Sequence, residues 1–444
     1  MVPYANRRAR LIAQMQSLGG GVAIIPTAPE MLRNNDVEYP YRHDSNFYYL
    51  SGFSEPEAVI VLVAGATPQS ILFCREKNAE REIWDGFRYG PEGAQVSFGF
   101  DAAYPINALD TVLPKLLADQ PALFYALGTN VALDTQVRGW LHAVRGQSRA
   151  GVIAPAQAHD INHLIHPMRQ IKDSGELTIM RRAATVTGAA HARAMRVARP
   201  GLREFEVEAE LLHEFRRNGS DFPAYTSIVA TGANACVLHY RAGASVLQDN
   251  DLVLIDAGCE LDSYASDVTR TFPASGRFTE PQKILYEIVL AAQAAAIAEV
   301  RPGRHFMQGH DAAIRVLAQG MLDTGLLDRT KVGALDDVIA NGDYRQFYMH
   351  KTGHWIGMDV HDVGPYREVS SGAGIDAPWR VLQEGMTLTV EPGLYVRPAA
   401  GVPERFWHIG IRIEDDVAVT AHGAEVMSAA APKTIAEIEA EMQR

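Results

Sequence analysis

The chain has 444 residues, 47% of them hydrophobic, and 41 Lys and Arg against 53 Asp and Glu, a formal net charge of −12. One hydrophobic core rarely supports that length, so two domains are expected, and the acidic balance argues against a surface that tracks nucleic-acid phosphates, which needs clustered Lys and Arg. The cysteines, Cys74, Cys236 and Cys259, are odd in number and far apart, which excludes a zinc ribbon or a disulfide framework and suggests a reducing compartment.

In chain order, the first residues are basic at Arg7, Arg8 and Arg10 but lack the apolar core of a signal segment, and no later run approaches a membrane span. A cytoplasmic location with no membrane partner is expected. From Gly21 to about Pro167, strand-like runs (Val22 to Ile25, Val59 to Val63, Ser70 to Cys74, Ala122 to Tyr125) alternate with helical or polar intervals, which predicts a small α/β domain. Ser174-Gly175-Glu176-Leu177 reads as the cap of a long helix over Ser174 to Ala198, ended near Pro200-Gly201, so a domain boundary is placed at 173/174. Further helices are expected at Glu204 to Asn218, Pro281 to Val300 and Asp311 to Gly325. The strand-like segments between and after them carry acids and histidines.

Those acids set the chemistry. Val253 to Ala257 and Tyr264 to Val268 read as two strands around a polar turn, and a hairpin symmetric about Leu261 and Asp262 sets Asp256 opposite Asp267. Opposed like charges only about 4.5–5.5 Å apart at Cβ repel, and a buried unpaired carboxylate costs several kcal/mol, so a cation is expected between them. Ile409-Gly410-Ile411-Arg412-Ile413-Glu414 alternates its isoleucines to one face and Arg412 with Glu414 to the other, and Met386 to Glu391 ends a strand at an acid stopped by Pro392-Gly393. His350, His354 and His361 cluster beside Gly353 and Gly357. Asp256, Asp267, His354, Glu391 and Glu414 thus offer four carboxylates and an imidazole, a set suited to a pair of divalent cations. An oxygen-rich donor set favours manganese, with cobalt, iron or zinc as alternatives. No His-Glu-x-x-His helix, Gly-x-Ser-x-Gly elbow or phosphate-binding glycine loop is present.

Over nearly its whole length the chain resembles the pita-bread metallopeptidases, and among them the Xaa-Pro aminopeptidase (aminopeptidase P) family. The matching pieces are Ile255-Asp256-Ala257-Gly258, Ser266 to Phe272, His350 with Gly353-His354-Trp355, Asp359-Val360-His361-Asp362, Val390 to Tyr395 and Gly410 to Asp415. Upstream, Arg33 to Arg42 and Asn46 to Phe53 look like the N-terminal domain of that family. The resemblance implies an α/β N-terminal domain (1–173) followed by an α+β pita-bread catalytic domain (174–444). It implies hydrolysis of the bond between an N-terminal residue and a following proline by a hydroxide shared between two metal ions. Asp267 and Glu414 would bridge them and Asp256 would chelate one. It further implies that His239 lies near the scissile amide, His361 stabilises the tetrahedral intermediate and Glu391 shuttles the proton. His350, Tyr395 and Arg412 would wall the proline pocket. Trp84 and Asp36 match residues that confine substrate across subunits, so a homo-oligomer, tetramer or dimer, is implied. The loop Tyr366 to Trp379 does not align with the family's arginine-bearing segment, which leaves Arg367 and Arg380 without roles.

Two other readings compete. A prolidase shares the same ligands but takes only dipeptides ending in proline, and a non-catalytic pita-bread binding module would have lost ligands that are all present here. Creatinase-like hydrolases do not keep the five.

Overall fold

The computed structural model describes residues 4–368 and 376–444, in two compact units, Met1–Arg169 and Gln170–Arg444. The division thus falls between Arg169 and Gln170, where the sequence reading placed it between Asp173 and Ser174.

The N-terminal unit is built on a 6-stranded sheet, in the order Ala102–Pro105, Gln69–Cys74, Val59–Val63, Val22–Pro26, Ala122–Phe124, Gln157–His159. Val22–Pro26 pairs antiparallel with Val59–Val63 and parallel with Ala122–Phe124. The central strand Val-Ile-Val-Leu-Val is buried at every position, the pattern of a strand covered on both faces rather than one. A helix over Tyr4–Ser17, absent from the sequence reading, buries Arg7 and Arg8. Arg8 donates to Leu50 O at 2.8 Å and Phe98 O at 2.9 Å, and its Cζ lies 3.9 Å from the Phe100 ring centroid. Arg8 is thus an internal strut, because a guanidinium can satisfy several carbonyls at once.

The C-terminal unit is the α+β part. Its helices Ser174–Val197, Glu204–Arg217, Glu280–Ala298 and Phe306–Thr324 share one apolar core with short antiparallel sheets. The first helix is capped by Asp173, one residue before the expected position. Asp173 Oδ1 accepts from Gly175 N at 2.8 Å and Glu176 N at 2.9 Å, and Glu176 returns the bond to Asp173 N at 2.9 Å. The last helix begins at Phe306 rather than Asp311, and a Cβ at its Gly320 would lie 2.6 Å from Ile288 Cγ2, so these two helices pack at close range.

The hairpin register differs from expectation. Its turn is Asp262-Ser263, with φ of 49° and 68°, so Leu261 pairs with Tyr264 and Asp256 with Thr269, not with Asp267. Short polar Asp and Ser accept the left-handed backbone of a two-residue turn, which a turn centred on Leu261 would have denied. Continued through the break between the short strands, this register sets Asp267 opposite Gly258.

The three cysteines are buried. Burial pushes their thiols up to about 12 for Cys74 and about 11 for Cys236 and Cys259. Among the described residues, no helix is long and apolar enough to cross a membrane.

Candidate metal centre

Two interrupted β-ladders deliver the acids. In the first, Leu252–Ala257 lies between Ile228–Thr231 and Val268–Pro273 and carries Asp256, and Asp267 immediately precedes the third strand. The chain crosses itself tightly here: a Cβ at Gly258 would sit 1.6 Å from Ser266 O. Side-chain alternation puts Asp267 on the same face as Thr269, and hence as Asp256, so the acids converge despite the changed register. In the second, Thr387–Val390 pairs with Asp415–Thr420 and Gly393–Val396 with Ile409–Arg412. Val390 pairs with Asp415 and Gly393 with Arg412, so one register runs through both and brings Glu391 level with Glu414 at the gap. The alternation expected to run unbroken from Ile409 through Glu414 is therefore interrupted at the acid. His354 runs beside Thr389, donating its N–H to Thr389 Oγ1 at 3.2 Å and receiving Thr389 N–H at 2.9 Å. Gly353 makes this approach possible, since a Cβ there would lie 2.0 Å from Thr389 O.

The result is a cavity of 480 Å³ lined by Asp256, Asp267, His354, Glu391 and Glu414, with His239, His350, His361 and Arg412 around them. Ligand atoms of Asp267, His354 and Glu414 all lie within 4.8 Å of one another. His354 Nε2 is 3.3 Å from Asp267 Oδ2 and 3.9 Å from Glu391 Oε1. Asp256 is held at 2.5 Å by both Tyr225 Oη and Arg412 Nη2. Arg412, whose expected neighbour was Glu414, thus pairs with Asp256. It also donates to Tyr395 Oη at 3.0 Å and Thr269 Oγ1 at 3.2 Å. Thr269 Oγ1 in turn donates to Glu414 Oε2 at 2.6 Å.

The electrostatics describe a site that wants cations. Burial, then the charge of Asp256, raises the Asp267 carboxyl. Burial, with Asp267 and Glu391, holds Glu414 well above the carboxylate range. Burial lifts Glu391 to about 7 against the pull of His354 and Arg412. Asp256 alone is lowered, because Arg412 and Tyr225 outweigh its burial. His354 gives the sharpest test of fit. Its Nδ1 lies 3.0 Å from Trp355 O, so Nδ1 carries a proton and Nε2 aims its lone pair at the carboxylates. Without a metal the ring must take a second proton, and Asp267 raises it to about 9 despite burial. A histidine that donates one N–H to a backbone carbonyl and points the other nitrogen at acids has the outer-shell geometry of a metal ligand. The donors present therefore fit divalent metal.

Around this centre, His361 is exposed at its edge, with its ring centroid 4.3 Å from that of His354, and partial desolvation by the groups packed round the ring, then the nearby His354, lowers its pKa. His350 Nδ1 donates to Lys351 O at 2.7 Å, which leaves Nε2 to accept from Tyr395 Oη at 2.8 Å. Burial lowers His350 to about 4. In the N-terminal unit, Asp36 is exposed in the turn between Leu32–Asn34 and Val37–Glu38, and Trp84 is 80% exposed on the helix Ala79–Asp85. Of the loop Tyr366 to Trp379, residues 369–375 lie outside the described residues. Beside them Arg367 packs on Trp379, with Cζ 3.8 Å from the ring centroid, and Arg380 pairs with Glu368 at 2.8 Å. Sequence reasoning missed Tyr225, whose hydroxyl touches both Asp256 and Asp267. Its segment, Phe222 to Ser227, carries no motif that would have marked it.

A buried, acid-rich pocket whose donors suit divalent metal, on an α+β scaffold, is the class this geometry defines, and comparison with known proteins supplies the family. The metallopeptidase family M24 matches residues 178–421, and the aminopeptidase P N-terminal domain matches residues 4–125. The chain is 42% identical to the Xaa-Pro aminopeptidase of Escherichia coli (strain K12), covering 99% of this chain and 97% of that one. It is 41% identical to that of Haemophilus influenzae, covering 98% and 96%. Among solved structures it is similar to the Pseudomonas aeruginosa aminopeptidase PepP, with a TM-score of 0.95 at 49% identity over 100% of this chain and 99% of that one. A zinc-substituted E. coli aminopeptidase P in complex with product gives 0.93 at 41% identity over 99% and 97%. The chain belongs to metallopeptidase family M24 and is a hydrolase with the two-domain architecture of the aminopeptidase P group.

Proposed function

We propose that this protein is a metal-dependent aminopeptidase that releases an N-terminal residue when proline is second. The observation that carries the reading is the convergence of Asp256, Asp267, His354, Glu391 and Glu414 in one cavity, in a chain 42% identical along 99% of its length to an Xaa-Pro aminopeptidase. Those five residues would hold two divalent ions, manganese by preference of the oxygen-rich donors. When bound, such ions lower the pKa of water and polarise a carbonyl.

The chain's own residues do the rest. His361, lowered in pKa and so neutral at pH 7, offers an N–H to the oxygen that gains charge as the carbonyl is attacked. His239 lines the same cavity and orients the scissile amide. Glu391, which follows the strand Thr387–Val390 and lines the cavity, would pass a proton to the leaving proline nitrogen. His350, Tyr395 and Arg412 form one hydrogen-bonded row. That row, with the apolar Ile228, Leu238 and Val360 of the cavity lining, makes a wall for a pyrrolidine ring. A homo-oligomeric state, a cytoplasmic location and the confinement of substrate by Asp36 and Trp84 belong to the same proposal. The exposure of Trp84 supports the oligomer.

The test is N-terminal residue release from matched Xaa-Pro dipeptides and Xaa-Pro-Xaa peptides by metal-stripped protein, with and without manganese. Restored cleavage of the longer peptides is the expected result. Dipeptide-only cleavage would make it a prolidase, and no cleavage of either would make it a binding module.

A further inference from the structure

Three glycines close on one short segment, residues 170–172. A Cβ at Gly364 would lie 2.7 Å from Gln170 Nε2, and one at Gly385 would lie 2.9 Å from Ile171 Cγ2. One at Gly357 would lie 2.9 Å from Lys172 Cε and 2.1 Å from Asp362 Oδ2. Gly357 and Gly364 bracket the loop that carries His361, so both ends of that loop rest on the same segment. Inside it, Lys172 Nζ meets Asp362 Oδ2 at 2.9 Å, with the two side chains 2% and 1% exposed. Each partner is also fixed by its backbone: Lys172 N donates to Gly385 O at 2.8 Å and Asp362 N to Trp355 O at 2.9 Å. His361 itself is exposed on a bend without strand or helix. An apolar pair of similar volume would be as stabilising as a buried ion pair, or more so. What the charged pair adds is direction, and the residue next to it is His361.

We propose that Lys172 is a positioning residue for His361, acting through Asp362. The inference rests on the reading of His361 as the N–H donor to the developing oxyanion. The ammonium anchors the Asp362 carboxylate beneath Gly357, which fixes the peptide at 361–362 and turns the imidazole into the cleft beside His354. Loss of the anchor loosens the loop, and a displacement of about 1 Å in such a group costs on the order of 100-fold in rate.

The experiment is a double-mutant cycle on the manganese-loaded enzyme with an Xaa-Pro-Xaa peptide, using Lys172→Met, His361→Ala and the two combined. Lys172→Met is expected to lower kcat about 10- to 100-fold while KM stays within about threefold. Metal content should be unchanged. In the His361→Ala background the same substitution should cost less than about twofold, because there is no imidazole left to aim. An equal cost in both backgrounds, or no cost in the wild type, would overturn the positioning role. Wild-type kcat in His361→Ala alone would instead overturn the reading of His361. Should Lys172→Met fail to fold, Lys172→Met with Asp362→Asn leaves no orphan charge and carries the same comparison.

Discussion

Replacing Tyr225 with Phe isolates one hydroxyl from the metal centre. Burial, with Asp256, Asp267 and Glu414, holds that phenol well above its usual range, so it always carries its proton. The proton is shared between Asp256 Oδ1, at 2.5 Å, and Asp267 Oδ1. One O–H cannot satisfy both at full strength, so a single charge-assisted bond is the fair measure, about 1.5–3 kcal/mol. With metal removed by EDTA, a loss of about 2 kcal/mol in a domain of this size lowers Tm by about 3–4 °C. With metal present, the Asp256 and Asp267 carboxylates lose the group that orients them, and affinity falls about 10- to 100-fold, the usual effect of an outer-shell partner. Thermal scans in EDTA and a manganese titration monitored by recovered activity measure the two effects. A Tm within about 1 °C of wild type, together with affinity within about twofold, would refute the claim that Tyr225 braces the two acids.

Arg412→Met should destabilise the protein by about 3–5 kcal/mol in urea unfolding, because it strands the Asp256 carboxylate in the interior. Arg412→Lys should not rescue it, since an ammonium does not reproduce the fork that reaches Asp256, Tyr395 and Thr269. Buried His191 accepts no charge easily: burial and Arg270 hold it at about 4 against an ordinary 6.5. The unfolded chain therefore takes up a proton that the native chain refuses, and the stabilisation is lost as pH falls from about 6.5 to about 4, by about 3 kcal/mol. The difference between wild type and His191→Gln in denaturant midpoint, measured at pH 7 and pH 5 in EDTA, should narrow at pH 5; a constant difference would count against it. Asp267 and Glu414, raised in the metal-free protein, act in the opposite sense but equally in both proteins. Finally, manganese binding should release protons near neutral pH, since metal replaces protons on His354, at about 9, and Glu391, at about 7. Calorimetry in buffers of different ionisation enthalpy detects this, and buffer-independent heats would contradict it.

The acids of the centre were legible in the sequence because a carboxylate at the end of an apolar strand is costly there unless a cation or a donor meets it. Their pairing was not. The hairpin register depended on whether Leu261-Asp262 or Asp262-Ser263 made the turn, and only a positive φ at both central residues, which Asp and Ser tolerate, decides it. The ladder that brings Glu391 level with Glu414 joins segments with no local sequence signal between them. Tyr225 and Lys172 were missed for a related reason: each matters through a partner far along the chain, Asp267 for one and Asp362 for the other. The burial of Arg8 was likewise not legible, since its carbonyl partners Leu50 and Phe98 lie far along the chain.

The sealed thiols have a practical consequence. With Cys74, Cys236 and Cys259 all buried and held protonated through the neutral range, none offers a reactive thiolate to a maleimide. A single cysteine introduced on the surface becomes the one labelling point without deleting any native residue. A spin label or fluorophore on the His361 loop could then follow that loop during turnover in an otherwise unaltered protein.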